Sequence, residues 1–245
     1  MNVPNEWFDE IDSTNAEARR RAEAGKAGPV WIAAREQSAG RGRRGRSWAS
    51  GRGNLHATLL CSTDKPPAEA AQVSFVAALA VADFASTYVP ARLISLKWPN
   101  DTLIGGRKAS GILVESGGVS AGRLWVCVGI GVNLATAPSL PDRPTTCLAD
   151  HISGPPPSAE EALDVLAEAF ARWHGVWVRT GFAPVAEAWT ARAHGLGAAC
   201  TANLPEGVVA GVAEGLEADG ALRLRLPDGA MRRISAGDVF FEGFA

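Results

Sequence analysis

Residues 94–132 read ISLKWPNDTLIGGRKASGILVESGGVSAGRLWVCVGIGV, a stretch in which short apolar runs alternate with abrupt turns. The first run, residues 94–98, stops at Pro99, and we predict a strand that ends there. Residues 111–114 and 124–132 predict two more buried strands, joined by a turn around Gly117 and Gly118. This part of the chain therefore predicts a sheet with polar groups placed where its strands end.

The segments on either side of this stretch predict a mixed α/β domain. Thr14 and Glu17 form a capping-box pattern, and we expect a helix from there to about Gly25. Periodic apolar spacing predicts a helix over 68–88, and Ser158 with Glu161 opens another capped helix. Further elements are expected as strands over 30–35 and 55–61 and as a helix over 184–194.

The character of the chain changes after His194. Asp219-Gly220 and Asp228-Gly229 are hairpin-turn signals, and between them leucines alternate with arginines over 222–226. We therefore expect a mixed α/β domain over residues 1–194 and a small all-β, barrel-like domain over residues 195–245.

The composition excludes several functional classes. Of 245 residues, 24 are basic and 26 are acidic, which argues against a protein that coats nucleic acid. With 47% hydrophobic residues the chain is not disordered, and its longest apolar runs, 76–82 and 124–130, are too short to span a membrane. The N-terminus has no secretory pattern and no CxxC pair occurs, so we expect a soluble cytoplasmic protein without structural zinc.

Basic residues are concentrated in one loop, GRGRRGR at residues 40–46 followed by Ser47 and Trp48. Five arginines fall within residues 41–52, and no Asp or Glu occurs from 37 to 63. The planar guanidinium groups of arginine, and backbone amides made accessible by glycine, are suited to bind phosphate oxygens. Because the arginines repel one another, we expect a compact loop here to need an anion. Two interpretations stay open at this point: a phosphate-binding loop, or a solvated and mobile surface segment.

Three weaker motifs follow. Residues 97–101, KWPND, come after a strand, where Asn can read an adenine edge and Asp can hold a cation, or the pair can simply form a turn. Lys108 precedes a buried strand and can point at an anion or outward into solvent. Residues 129–133, GIGVN, contain half of a dinucleotide fingerprint, but no complete one exists, which excludes a nicotinamide cofactor.

Taken in order, Ser13-Thr14-Asn15, Gln37, the Arg-rich loop with Trp48, KWPND, residues 107–115 (RKxxGILVE) and GIGVN resemble the biotin protein ligases across essentially the whole chain. The resemblance implies an α+β fold: a mixed-sheet, class II synthetase-like catalytic domain shared with lipoate ligases, followed by an SH3-like β-barrel. It implies activation of biotin by ATP to biotinyl-5'-AMP and pyrophosphate, then transfer to a specific lysine of a biotin carboxyl carrier protein.

The resemblance also implies roles for individual residues. Lys108, Arg41 and Arg43 would be catalytic, with Asp101 a candidate to assist amine transfer. The biotin pocket would comprise Ser13, Thr14, Asn15, Gln37, Gly40, Arg41, Gly42, Arg43, Lys108 and Gly111. The ATP site would comprise Arg41, Arg43, Arg44, Arg46, Trp48, Lys97, Asn100, Asp101, Lys108 and Asn133. Magnesium is expected on the phosphates, with protein ligands unassigned.

The remaining expectations concern partners. Twelve residues precede Ser13, too few for a helix-turn-helix, so we expect a short form without repressor function or sequence-specific DNA binding. A membrane partner is not expected, and a homodimer is compatible with the sequence. Two alternatives stay open: a lipoate ligase or octanoyltransferase with the same core, and a non-catalytic anion or nucleic-acid binding protein that uses the arginines.

Overall fold

The computed structural model describes residues 3–26, 28–118, 122–140 and 143–241. A seven-stranded mixed sheet has the order β1-β2-β3-β7-β6-β5-β4, in which only β1 and β2 pair in parallel. Its strands are β1 (Asn5–Ile11), β2 (Val30–Gln37), β3 (Leu55–Thr63), β4 (Ile94–Lys97), β5 (Asp101–Ile104), β6 (Arg107–Gly118) and β7 (Leu124–Val132).

Helices cover both faces of this sheet. They are α1 (Thr14–Glu23), α2 (Pro67–Ala70), α3 (Val73–Ser86), α4 (Ala159–Thr180) and α5 (Ala183–Thr190). Helix α1 covers β3 and β7 on one face, while α3 and α4 pack on the other. The segment Pro67–Ser86 is apolar and long enough to cross a bilayer, but 72% of its apolar window is buried inside the protein, as expected for a core helix.

The second sheet is antiparallel and has the order β11-β10-β9-β8-β12. Its strands are β8 (Ala199–Leu204), β9 (Gly207–Leu216), β10 (Leu222–Arg225), β11 (Met231–Ile234) and β12 (Asp238–Phe241). Residues of both sheets join one buried apolar cluster, and Trp98 Nε1 donates to the carbonyl of Gly220 across 3.1 Å. This packing brings β12 up to the first sheet.

The expected α+β architecture with a small second sheet is confirmed, but several local predictions are wrong. Ser13, not Thr14, caps α1 by accepting from Ala16 N, because the Thr14 backbone N and Oγ1 donate to Gln37 instead. Strand β6 continues through Gly118, so Gly117 and Gly118 belong to a strand and do not form the predicted turn. Residues 119–121 lie outside the described part of the chain. The helix expected over 68–88 is divided into α2 and α3.

Two strands, β1 and β5, were not predicted from the sequence, and each has a physical reason. Strand β1 lies at the edge of the sheet and has the largely polar sequence NEWFDEI. Its apolar residues do not alternate regularly with polar ones, so the sequence gives no strand signal. Strand β5 begins at Asp101, for which the sequence left a turn open as one alternative, and it spans only four residues. Gly105 and Gly106 both have positive φ, 58° and 77°, so a tight hairpin turns the chain directly from β5 into β6.

Candidate active site

A cavity of about 480 Å³ opens between the first sheet, the Arg-rich loop and β12, a size suited to small-molecule ligands. It gathers the sequence-predicted site residues from all six motifs. Those that line it are Ser13, Thr14, Asn15, Gln37, Arg41, Gly42, Arg43, Arg46, Trp48, Lys97, Asn100, Asp101, Lys108, Gly111 and Asn133. Residues separated by more than 100 positions in sequence therefore share one site.

Two predicted residues, Gly40 and Arg44, lie outside the cavity lining. A Cβ on Gly40 would fall 2.3 Å from Ser50 Oγ and 2.5 Å from the Trp48 carbonyl, so Gly40 allows the loop to fold against itself. Arg44 has a φ of 56°, and its Nη1 donates to the carbonyl of Asn203 over 3.3 Å. Its side chain therefore reaches the second sheet instead of the cavity.

Neutral polar groups surround the start of α1. Thr14 N and Oγ1 lie 2.8 and 3.1 Å from Gln37 Oε1, and Thr58 Oγ1 lies 2.6 Å from Asn15 Oδ1. Asn15 Nδ2 also donates to Glu115 over 2.9 Å. Thr14, Asn15 and Thr58 are nearly fully buried, so this network is held in one geometry and offers uncharged donors and acceptors to a ligand.

Lys108 points inward and does not extend into solvent, which settles one of the open alternatives. Its Nζ forms a salt bridge with the Asp101 carboxylate across the β5–β6 pair and lies 5.5 Å from the Trp48 ring centroid. The backbone of Lys108 is fixed by Pro144 O, which accepts from its N, and by Thr146 N, which donates to its carbonyl. Its side chain is 14% exposed, so its position in the cavity is well defined.

Glycines on β6 and β7 form the floor beside Trp48. A Cβ on Gly131 would lie 2.4 Å from the indole, and one on Gly129 would lie 2.0 Å from Asn15 Oδ1. The GIG sequence therefore makes room for two other side chains. Trp48 Nε1 is buried and has no hydrogen-bond partner among the described residues, so it remains available to a ligand acceptor.

The asparagines that flank the floor are already hydrogen bonded. Asn100 Nδ2 donates to the Ile112 carbonyl over 2.7 Å, and its Oδ1 accepts from Arg43 Nη1 over 3.1 Å. Asn133 Nδ2 donates to the Thr146 carbonyl over 3.0 Å. These bonds hold both amides at the cavity wall, with Asn133 only 2% exposed.

The sequence around the Arg-rich loop contains no acid from residue 37 to residue 63. Distant carboxylates supply the missing charge: Arg41 pairs with Glu115 at 2.9 Å, and Arg46 pairs with both oxygens of Asp238 at 2.7 Å. Asp238 lies nearly 200 positions from the loop in sequence, so a local count of acids does not reveal it. Arg43, half enclosed by Asn100 and the Gly237 carbonyl, has its pKa lowered by burial, an effect that the charges of Asp238 and Asp101 oppose.

Lys97 occupies the region between the two sheets. Its Nζ lies 5.3 Å from the centroid of the Phe240 ring, a cation–π contact. Burial lowers the pKa of Lys97, although the nearby Asp101 charge acts in the opposite direction. The cavity is thus lined by cations from the loop, β4 and β6 and by the neutral groups around the start of α1.

Sequence reasoning missed several lining or supporting residues. Glu115 closes the RKxxGILVE motif and was given no role, although it contacts both Arg41 and Asn15. Asp238 and Phe240 carry no motif, and nothing in the sequence places β12 beside the loop. Thr58 looks like an ordinary strand residue until α1 packs over it. Only the fold brings Asp238 and Phe240 to the cavity, and Glu115 and Thr58 to residues that line it.

Comparison with known proteins agrees with this architecture. The Biotin/lipoate A/B protein ligase family model matches residues 7–133, and the Biotin protein ligase C terminal domain model matches residues 195–242. A biotin–[acetyl-CoA-carboxylase] ligase of Paracoccus denitrificans is 46% identical over 237 residues, covering 95% of this chain and 98% of the relative. One from Mycobacterium tuberculosis is 34% identical and covers 93% and 85%.

Solved structures give the same result. The biotin protein ligase from Aquifex aeolicus in complex with biotin and ATP matches with a TM-score of 0.79 at 26% identity, over 98% of each chain. Because the Paracoccus relative covers nearly the whole chain and the first family model spans more than half of it, this chain belongs to the biotin protein ligase family.

Proposed function

We propose that the protein is an ATP-dependent biotin–protein ligase. It activates biotin with ATP to biotinyl-5'-AMP and pyrophosphate, and it transfers biotin to a specific lysine of a biotin carboxyl carrier protein. The observation that carries this proposal is the single cavity in which neutral hydrogen-bonding groups meet a cluster of cations. The names of the relatives, biotin–[acetyl-CoA-carboxylase] ligases, support the choice of biotin and of a carboxylase-derived acceptor.

The first step joins two anions, which explains the charge distribution. A carboxylate oxygen of biotin attacks the α-phosphorus of ATP, a new C–O–P linkage forms, and the bond to pyrophosphate breaks. Repulsion between carboxylate and phosphate must be offset by fixed cations, which typically change the rate by about 10²–10³ each. Lys108, Arg41 and Arg43 are assigned this role, because their positions are fixed by Asp101, Glu115 and Asn100.

Other residues are assigned by their place in the cavity. We assign biotin to the neutral side, which comprises Ser13, Thr14, Asn15, Gln37, Gly42 and Gly111 together with the catalytic cations. We assign ATP to the cationic side, which comprises Arg46, Trp48, Lys97, Asn100, Asp101 and Asn133. Gly40 and Arg44 act on the shape and attachment of the loop, since neither lines the cavity.

Magnesium is expected to arrive on the phosphates of ATP. No cluster of three His, Cys, Asp or Glu side chains occurs within the described ranges, and Asp101 and Asp238 are paired with cations. Mg²⁺ commonly keeps several waters and binds substrate phosphates with few protein carboxylates, and the residues present fit that mode. The ion would offset negative charge on the phosphate chain, while the residues named above orient the reacting groups.

In the second step the carrier lysine amine attacks the acyl carbon of the adenylate. An amide bond forms, the bond from the acyl carbon to the AMP oxygen breaks, AMP leaves, and the proton that the amine loses passes to solvent water. The salt bridge of Asp101 with Lys108 favours a positioning role for this carboxylate over that of a free base. Holding the amine against the acyl carbon supplies much of the acceleration.

We further propose that residues 1–194 form the catalytic domain and residues 195–245 the C-terminal domain, since the two sheets fall on either side of this boundary. A cytoplasmic location fits the four free cysteines. The pairing of the loop arginines with Glu115 and Asp238 argues that they serve the cavity and do not bind DNA.

Biotin-dependent exchange of labelled pyrophosphate into ATP tests the first step. We expect exchange with biotin and none with lipoate or octanoate, and exchange only with lipoate would favour the alternative ligase class. If no acid supports pyrophosphate exchange, the ligase proposal is overturned. The second step is tested by label transfer to a carrier domain, with a Lys→Arg acceptor variant as the control.

A further inference from the structure

Three arginines of the loop converge on one carboxylate from the other sheet. Asp238, the first residue of β12, lies 2.7 Å from Arg46 Nη2, 3.3 Å from Arg44 Nη1 and 3.9 Å from Arg43 Nη1. Arg43 also donates to the neighbouring Gly237 carbonyl over 3.3 Å. The start of β12 is therefore the main point at which the loop is attached to the second sheet.

The charges at this junction do not balance. One carboxylate faces three guanidinium groups, so the cluster keeps an excess positive charge even when Asp238 is ionised. Carboxylates and phosphates bind the same fork of guanidinium donors, and Asp238, Arg43 and Arg46 all line the cavity. Asp238 thus holds donors that an incoming phosphate chain would also require.

We propose that Asp238 is a positioning residue that holds the phosphate-binding arginines before the nucleotide arrives and competes with the phosphate chain for them. This inference rests on the proposed function. A phosphate chain carries more negative charge than one carboxylate and displaces Asp238 from the arginines. When pyrophosphate leaves, Asp238 recovers these partners, which favours product release.

One further contact and the charge state of Asp238 support this role for β12. Phe240, two residues farther along the strand and on the same face, packs against the ammonium group of Lys97. Hence one strand of the second sheet contacts cations of both the loop and β4. Burial raises the pKa of Asp238, but the hydrogen bonds and charges of the arginines outweigh it, and its pKa stays below the usual range. The carboxylate is therefore charged wherever the enzyme is assayed near neutral pH.

The test measures binding of inorganic pyrophosphate by titration calorimetry, which requires no catalysis. Asp238→Asn removes the competing charge at nearly constant shape, Asp238→Glu keeps the charge, and Asp238→Ser serves if the Asn variant unfolds. Glu214→Gln is the matched control, because Glu214 pairs with Arg225 in the same sheet at 2.6 Å, away from the cavity. Each variant is checked by its melting temperature.

We expect Asp238→Asn to bind pyrophosphate about three- to tenfold more tightly, with the effect reduced at high salt. Asp238→Glu and Glu214→Gln should match the parent within about twofold. In the exchange assay the KM for ATP should fall while the KM for biotin stays constant. Equal or weaker pyrophosphate binding by a folded Asp238→Asn variant would overturn the competition. If the parent protein itself shows no biotin-dependent exchange, the proposed function is contradicted, while the calorimetric comparison of pyrophosphate binding still tests the competition.

Discussion

The indole of Trp48 lies directly on Gly131, so closely that a Cβ there would be 2.4 Å from Cε2 and 2.5 Å from Nε1. Gly111 stands beside Gly131 in the β6–β7 pairing, and a Cβ on it would lie 3.0 Å from the same ring. Two neighbouring glycines thus form a recess for one aromatic ring. Trp48 N also donates to the Gly40 carbonyl at 2.9 Å, which connects this recess to the Arg-rich loop.

Gly131→Ala should displace the indole and with it the loop. Because a shift of about 1 Å in a catalytic constellation can cost up to about 10²-fold in rate, we expect biotin-dependent pyrophosphate exchange to fall at least about tenfold. Gly51→Ala is the control, since a Cβ at Gly51 meets open space and its φ is not positive. Parental exchange in a folded Gly131→Ala variant would show that the recess is not required.

Gly129→Ala should affect the other side of the cavity. Its new methyl group would lie 2.0 Å from Asn15 Oδ1 and would push Asn15 away from Thr58 and Glu115. We expect the KM for biotin to rise about tenfold or more, with a smaller change in the KM for ATP. Equal increases in both constants, measured by exchange kinetics, would contradict the division of the cavity into neutral and cationic sides.

These glycines show which features of the site could be predicted from the sequence and which could not. The GIGVN motif was visible, and the order of motifs indicated the family, but a half fingerprint does not reveal that its glycines make room for Trp48 and Asn15. Helices with strong caps, such as α4 with Ser158 and Glu161, were predictable because the signal is local. Strand β1 was not, because its pairing with β2 is set by a neighbour and its own pattern is polar.

Ion pairs between residues distant in sequence are the second feature that the sequence alone could not predict. The cations assigned to the proposed site were all named from the sequence, whereas Asp101 is the one carboxylate among their partners that was given a role there. Glu115 and Asp238 pair with the loop only because β6 and β12 meet it in space. A local count of charges around the loop therefore cannot show which acids the fold brings to it.

Lys108→Ala should reduce adenylate formation far more than it destabilises the fold. The substitution removes a cation that is fixed by Asp101 and the Trp48 face, and we expect exchange to fall by about 10²–10³. Melting temperature is measured in parallel, because Asp101 loses its partner. Lys65→Ala is the matched control, since Lys65 pairs with Glu69 outside the cavity and should leave exchange unchanged. Near-normal exchange by folded Lys108→Ala would refute the role assigned to Lys108.

Arg43→Gly should loosen the Arg-rich loop, which we expect to act as a lid that covers the adenylate and excludes water. Arg43 connects the loop to Asn100 on one side and to the Gly237 carbonyl on the other. Without these bonds, we expect adenylate to escape several-fold faster, measured as labelled adenylate retained by the protein after rapid gel filtration. Arg52→Gly provides the comparison, because Arg52 pairs with Asp9 and Glu36 away from the cavity. Retention equal to the parent would contradict the lid.

His56 should make the fold sensitive to mild acid. It is 2% exposed, its Nε2 lies 3.3 Å from the Gly51 carbonyl, and burial lowers its pKa from 6.5 despite that contact. Below pH 6.5 the unfolded chain therefore binds a proton that the folded chain resists, so stability present above that pH declines as pH falls, by at most about 1.4 kcal/mol per pH unit. His56→Gln keeps a donor for Gly51 but does not titrate. Urea unfolding at several pH values between neutrality and mild acid should show a shallower decline for this variant, and identical slopes would contradict a neutral buried imidazole.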